Sequence, residues 1–96
     1  MTIDNVREII NKNKNFLKEK YKVKSIKIFG SFARHEEAAD SDIDILIGFY
    51  SSPDIFEFIE LEGFLGNLLG VKVDLVTEQA LKPLIKDKIL EEAISI

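Results

Sequence analysis

The 96-residue chain reads as an α/β (α+β) protein, a small mixed β-sheet of three or more strands flanked by helices. Three observations predict this. Apolar residues recur at helical spacing near both ends and in the middle of the chain, short β-branched runs separate those stretches, and the two patterns alternate. No repeat, linker or low-complexity segment interrupts them, so residues 1–96 are expected to form one domain.

Ile3, Val6, Ile9, Ile10, Phe16 and Leu17 predict a first, Lys-rich amphipathic helix running to about residue 20, with Thr2 or Asp4 able to cap it. Residues 21–29 then alternate as a strand that ends at Gly30-Ser31. Residues 31–37 suffice for one or two helical turns, and 38–41 read as a loop. From 42 to 49 the order Asp-Ile-Asp-Ile-Leu-Ile-Gly-Phe predicts a strand with one acidic and one apolar face at its start. Asp54 and Glu57 form a capping-box signature ahead of a helix over 55–69 that Gly70 can stop. Residues 71–76 predict a third strand. Residues 78–94 predict a closing helix with Pro83 in its first turn, giving the order α-β-α-β-α-β-α.

Composition excludes several classes. Hydrophobic residues make up 46% of the chain and charged residues 31%, so the chain is not of the disordered type. Without cysteine there can be no disulfide, thiolate metal site or cysteine nucleophile, and a reducing cytoplasmic setting is expected. No signal-peptide pattern or apolar run of membrane-spanning length occurs, so no membrane partner is expected. The formal charge of −4 argues against direct nucleic-acid binding. Its distribution is uneven: residues 1–27 hold eight basic and three acidic residues, and no Lys or Arg lies between Arg34 and Lys72. That anionic stretch can recruit metal cations, face a basic partner or form a solvated surface. The wide apolar coverage of the 55–69 helix is suited to the core or to self-association or a hetero-complex.

Asp42 and Asp44 stand two apart in a strand, which puts both carboxylates on one face. Repulsion between them is relieved by a shared proton or a bound metal, and hard oxygen ligands favour Mg²⁺, with Mn²⁺ as the alternative. Asp74 interrupts the third strand in the same way and is the natural third acid, so the set could hold two ions. Gly30-Ser31 follows a buried strand and opens a helical turn, so its backbone N–H groups can receive an anion, phosphate above all. A phosphate cradle beside metal-binding aspartates is what phosphoryl or nucleotidyl transfer needs. Taken singly, each feature also has an ordinary structural reading: a turn, solvated acids, and a surface ion pair of Arg34 with Glu36 or Glu37 in place of a phosphate contact.

Gly30-Ser31-Phe32-Ala33-Arg34, Asp42-Ile43-Asp44-Ile45-Leu46-Ile47 and Val73-Asp74-Leu75-Val76 together resemble the nucleotidyltransferase superfamily of DNA polymerase beta. The closer likeness is to minimal nucleotidyltransferases, the MNT or MntA-like antitoxins paired with HEPN toxins. The resemblance implies the nucleotidyltransferase fold, with Asp42, Asp44 and Asp74 ligating Mg²⁺ and acting catalytically. It also implies that Gly30, Ser31 and Arg34 bind the nucleoside triphosphate. The implied activity is transfer of AMP from ATP to a hydroxyl, a tyrosine, of a HEPN-type toxin. His35 stands where the family commonly has glycine, which bears on loop conformation near the nucleotide. The competing expectation is a non-catalytic antitoxin that neutralises a basic partner through acidic and apolar surfaces.

Overall fold

The structure is a computed structural model that describes residues 2–30, 32–34 and 42–96. Its elements are α1 (Ile3–Lys12), α2 (Lys14–Tyr21), β1 (Val23–Phe29), β2 (Ile43–Phe49), α3 (Ile55–Leu69), β3 (Val73–Thr77), a 3-10 turn (Glu78–Ala80), α4 (Pro83–Glu92) and β4 (Ile94–Ser95). The strands form one mixed sheet in the order β3-β2-β1-β4. β1 runs antiparallel to both β2 and β4, whereas β2 and β3 are parallel.

Two expectations are corrected. The first helix is two helices, broken at Asn13, whose side-chain amide donates to the Ile9 carbonyl at 2.9 Å. Asn competes with helical hydrogen bonding in this way, and here it ends one helix where the next begins. The closing helix is shorter than 78–94. Proline disfavours helical backbone at the residue before it, and Lys82 is extended (ψ 142°), so α4 starts at Pro83. Beyond α4 the chain rejoins the sheet: Ile94 pairs with Ile28, and the Ile96 N–H donates to the Ile26 carbonyl at 3.0 Å. The capping box is present as expected, with the Glu57 N–H 2.8 Å from Asp54 Oδ1. Of the turn at 31–37, residues 32–34 are described; the rest, with the 38–41 loop, lies outside the described residues.

Strand periodicity sorts the sheet into two faces. Ile43, Ile45 and Ile47 of β2, Ile26 and Ile28 of β1, and Val73 and Leu75 of β3 join Val6, Ile10, Leu17, Leu61, Leu65 and Leu69 of the helices in one core. A bulge between Val23 and Ser25 inserts a residue, so Val23 shares the core face despite its odd spacing from Ile26. Asp44, Leu46 and Gly48 point the other way. Leu46 is also fully buried, on the side where Glu78 of the 3-10 turn meets Ser25 and Gly48. Among the described residues no helix is long and apolar enough to cross a membrane.

Candidate active site

The site lies where β1 ends and β2 and β3 begin. Phe29, the last residue of β1, pairs with Asp44. The next residue, Gly30, has φ +72°, a left-handed conformation that L side chains disfavour. A Cβ at this position would overlap the Asp44 carboxylate, so glycine is what lets the turn close against that acid. The Arg34 N–H donates to the Gly30 carbonyl at 3.2 Å, and the buried Phe32 anchors the turn in the core. Ser31 and His35 lie outside the described residues.

The parallel pairing of β2 and β3 brings Asp44 and Asp74 into register as neighbours. The Ile43 N–H donates to the Lys72 carbonyl at 3.0 Å and locks the two strand starts together. Asp42 stands just ahead of β2 and is exposed, as is Asp74, while Asp44 is half-buried. Burial raises the pKa of Asp44 above the ordinary carboxylate value, repulsion from Asp74 and then Asp42 raises it further, and Arg34 opposes the shift. Asp44 therefore feels the charge of both other acids.

Among the described residues no group of three or more acid or imidazole side chains closes around a common point as a metal centre. The donor set nonetheless fits Mg²⁺. Its atoms are hard carboxylate oxygens, and Asp44 carries like-charge repulsion that a divalent cation relieves. Mg²⁺ takes much of its octahedral shell from water and substrate phosphates, so protein ligands need not enclose it.

Several polar partners were not legible in the sequence. Arg34 pairs with Glu92 of α4 at 3.5 Å, a residue 58 positions away; Glu36 and Glu37, its expected surface partners, lie outside the described residues. Lys72 Nζ lies 3.9 Å from Asp42 Oδ2, an exposed contact that tempers the acidic cluster without burying it. Glu62 of α3 accepts from the Leu75 N–H at 3.3 Å and so fixes the outer edge of β3 beside Asp74. On the same sheet face as Asp44, Glu78 accepts from Ser25 Oγ at 3.2 Å and lies 3.7 Å from Lys27 Nζ, which ties the 3-10 turn to β1.

A mixed sheet that sets two strand aspartates side by side, with a glycine turn against one of them, is the framework of a nucleotide-handling transferase. Residues 10–96 match the nucleotidyltransferase domain family, and the chain belongs to that family. It is 55% identical over 96 residues to a candidate protein adenylyltransferase of Methanocaldococcus jannaschii, covering 99% of this chain and 98% of that one. Identity to the protein adenylyltransferase MntA of Thermococcus cleftensis is 40% over 96 residues, covering 100% of this chain and 97% of that one. Among solved structures, a candidate minimal nucleotidyltransferase superposes with a TM-score of 0.84 at 31% identity, covering 100% of this chain and 97% of that one. A toxin-antitoxin crystal structure with AMP-PNP gives a TM-score of 0.74 at 26% identity, covering 88% of this chain and 69% of that one. The sequence resemblance and its fold are thus borne out.

Proposed function

We propose that this nucleotidyltransferase moves AMP from ATP to a hydroxyl, a tyrosine, of a HEPN-type toxin and so acts as its antitoxin in the cytoplasm. The observation that carries the proposal is the register of Asp44 with Asp74 beside the Gly30 turn. The names of the relatives, protein adenylyltransferases, and of the toxin-antitoxin structure with AMP-PNP support the choice of nucleotide and acceptor class.

Asp42, Asp44 and Asp74 would hold Mg²⁺, whose charge offsets that developing on the attacking and leaving oxygens. The Gly30-Ser31 turn receives the triphosphate, and Arg34, whose N–H closes that turn onto the Gly30 carbonyl, contributes positive charge. Asp74, the exposed member of the strand pair, orients the acceptor hydroxyl and takes its proton as the oxygen attacks the α-phosphorus. The new bond joins that oxygen to phosphorus; the bond to the bridging oxygen breaks, and pyrophosphate leaves with the electron pair.

The test is incubation of the chain with labelled ATP, Mg²⁺ and a purified HEPN-type protein encoded beside it. Label on a partner tyrosine, lost in Asp44→Asn with the complex retained, is the expected result. A tight complex whose partner keeps its unmodified mass would instead favour neutralisation by binding alone. The apolar exposure of Ile55, Phe56, Ile59, Leu84 and Ile85 is the observation behind that second reading.

A further inference from the structure

The chain holds two tyrosines, and they sit in opposite surroundings. Tyr21 is 4% exposed and packs its ring against Phe16 and Phe64. Tyr50 is 63% exposed. It directly follows β2, and its N–H donates to the Lys22 carbonyl at 2.8 Å, which fixes the backbone that carries the phenol. Lys18 Nζ and Lys24 Nζ stand 5.9 and 6.0 Å from the centre of its ring. Lys12, Lys20 and Lys27 of the same segment each meet a glutamate, whereas Lys18 and Lys24 meet no carboxylate among the described residues. Two hollows adjoin the phenol. One, of about 260 Å³, is lined by Leu17, Val23 and Ile26 as well as by Lys14, Lys18 and Lys24. The other is lined by Lys18, Glu19 and Lys22, so four lysines and a single acid border Tyr50.

We infer that Tyr50 is itself an acceptor of AMP, adenylylated by the active site of a second copy of this chain. The inference rests on the proposed tyrosine-directed transfer and adds a substrate to it. Tyr50 cannot enter its own site: it stands six residues along the strand from Asp44, about 20 Å at the rise of extended backbone. Charge favours the meeting of two copies. Asp42, Asp44 and Asp74 make the site end of the sheet acidic, since Lys72 offsets one of them at most and Arg34 is paired with Glu92. A bound triphosphate adds to that charge. The lysine-bordered end of one copy is therefore drawn to the site end of another and presents Tyr50 to it. There the Tyr50 Oη bonds to the α-phosphorus, and the phenol proton passes to Asp74 of the receiving site. The bond from that phosphorus to the bridging oxygen breaks, and pyrophosphate leaves with the electron pair. The product carries a phosphodiester within reach of Lys18 and Lys24, and the hollow lined by Leu17, Val23 and Ile26 has room for the adenine ring.

The chain alone, incubated with labelled ATP and Mg²⁺, is expected to gain the mass of one AMP, mapped to Tyr50 by peptide fragmentation. Tyr50→Phe should abolish that gain and still label the purified HEPN-type protein encoded beside the chain. Transfer between copies is tested by mixing two variants that are each silent alone. Tyr50→Phe keeps the active site and Asp44→Asn keeps the tyrosine, so label should appear on the Asp44→Asn copy. Lys18→Glu combined with Lys24→Glu should slow self-labelling about tenfold, with the fold retained by circular dichroism. Rising salt should slow self-labelling of the wild type in the same direction. Label on the partner with none on Tyr50 overturns the inference and leaves transfer to the partner standing. Label on Tyr50 that the mixed variants fail to reproduce overturns transfer between copies. Label on Tyr50 without label on the partner upholds the inference and defeats the partner as acceptor. Absence of label from both proteins defeats the two readings together.

Discussion

Asp44 and Asp74, thirty residues apart in sequence, are register partners on the adjacent parallel strands β2 and β3. In a parallel pair, partners present their side chains on the same face, so the repulsion between these two acids is built into the pairing itself. The Ile43 to Lys72 hydrogen bond keeps either strand from slipping away from it. In the proposed reaction both carboxylates act on the same charge in the transition state, so loss of either should be severe. Asp44→Asn and Asp74→Asn are each expected to lower AMP transfer by about a hundredfold or more, measured as label incorporated per unit time. A variant that keeps wild-type rates would remove that carboxylate from the reaction.

The same arrangement lowers stability at neutral pH. Burial, Asp74 and Asp42, in that order, raise the folded pKa of Asp44 above its unfolded value. The folded state therefore favours the protonated acid. Its contribution is fully present below the unfolded pKa, near 3.9, and is lost as pH rises through the higher folded value. At neutral pH an ionised Asp44 thus opposes folding. In EDTA at pH 7, Asp44→Asn should melt higher than the wild type, and the gap should close at about pH 3. Added Mg²⁺ should raise the melting temperature of the wild type and leave the variant nearly unmoved. A variant that melts lower at pH 7 would contradict this account.

Gly30 gives a position where chemistry and backbone coincide. Its φ of +72° and the overlap of a Cβ with the Asp44 carboxylate both resist any side chain. Gly30→Ala is expected to lose about 1–2 kcal/mol from the left-handed backbone alone. It should also displace Asp44, so that transfer falls more than stability does. Denaturant unfolding and the transfer assay on the same preparation separate the two effects.

Much of this geometry was legible because the relevant signals are local. Asp-Ile-Asp-Ile fixes which face carries acid, Asp54 and Glu57 mark a helix start, and Gly30 and Gly70 mark two positive-φ stops. The departures arise where a short-range competitor or a distant partner decides the outcome. Asn13 breaks a helix whose apolar periodicity runs straight through it, and Pro83 delays the last one. Ile94 reads as the end of a helix because the strand character of Ile94-Ser95 comes from pairing with Ile28 and Lys27, far away in the chain. Arg34 with Glu92 and Glu62 with the Leu75 N–H depend on tertiary packing in the same way, and no spacing rule announces them.

Glu62 permits a test of how far the edge of β3 supports the site. Its carboxylate accepts from the Leu75 N–H, one residue beyond Asp74, and joins α3 to the strand that carries the third acid. Among the described residues β3 is an edge strand, with no strand paired to that outward side. In Glu62→Ala the N–H loses its partner at a half-buried position, which should destabilise the chain by about 1 kcal/mol and loosen Asp74 relative to Asp44. Transfer should fall several-fold while the affinity for ATP changes little. Glu62→Gln retains an acceptor oxygen and should recover most of both losses, which a purely electrostatic role for the carboxylate would not allow. Exposing the edge should also raise the tendency of the chain to associate through β3. Light scattering at rising concentration should therefore show larger species for Glu62→Ala than for Glu62→Gln.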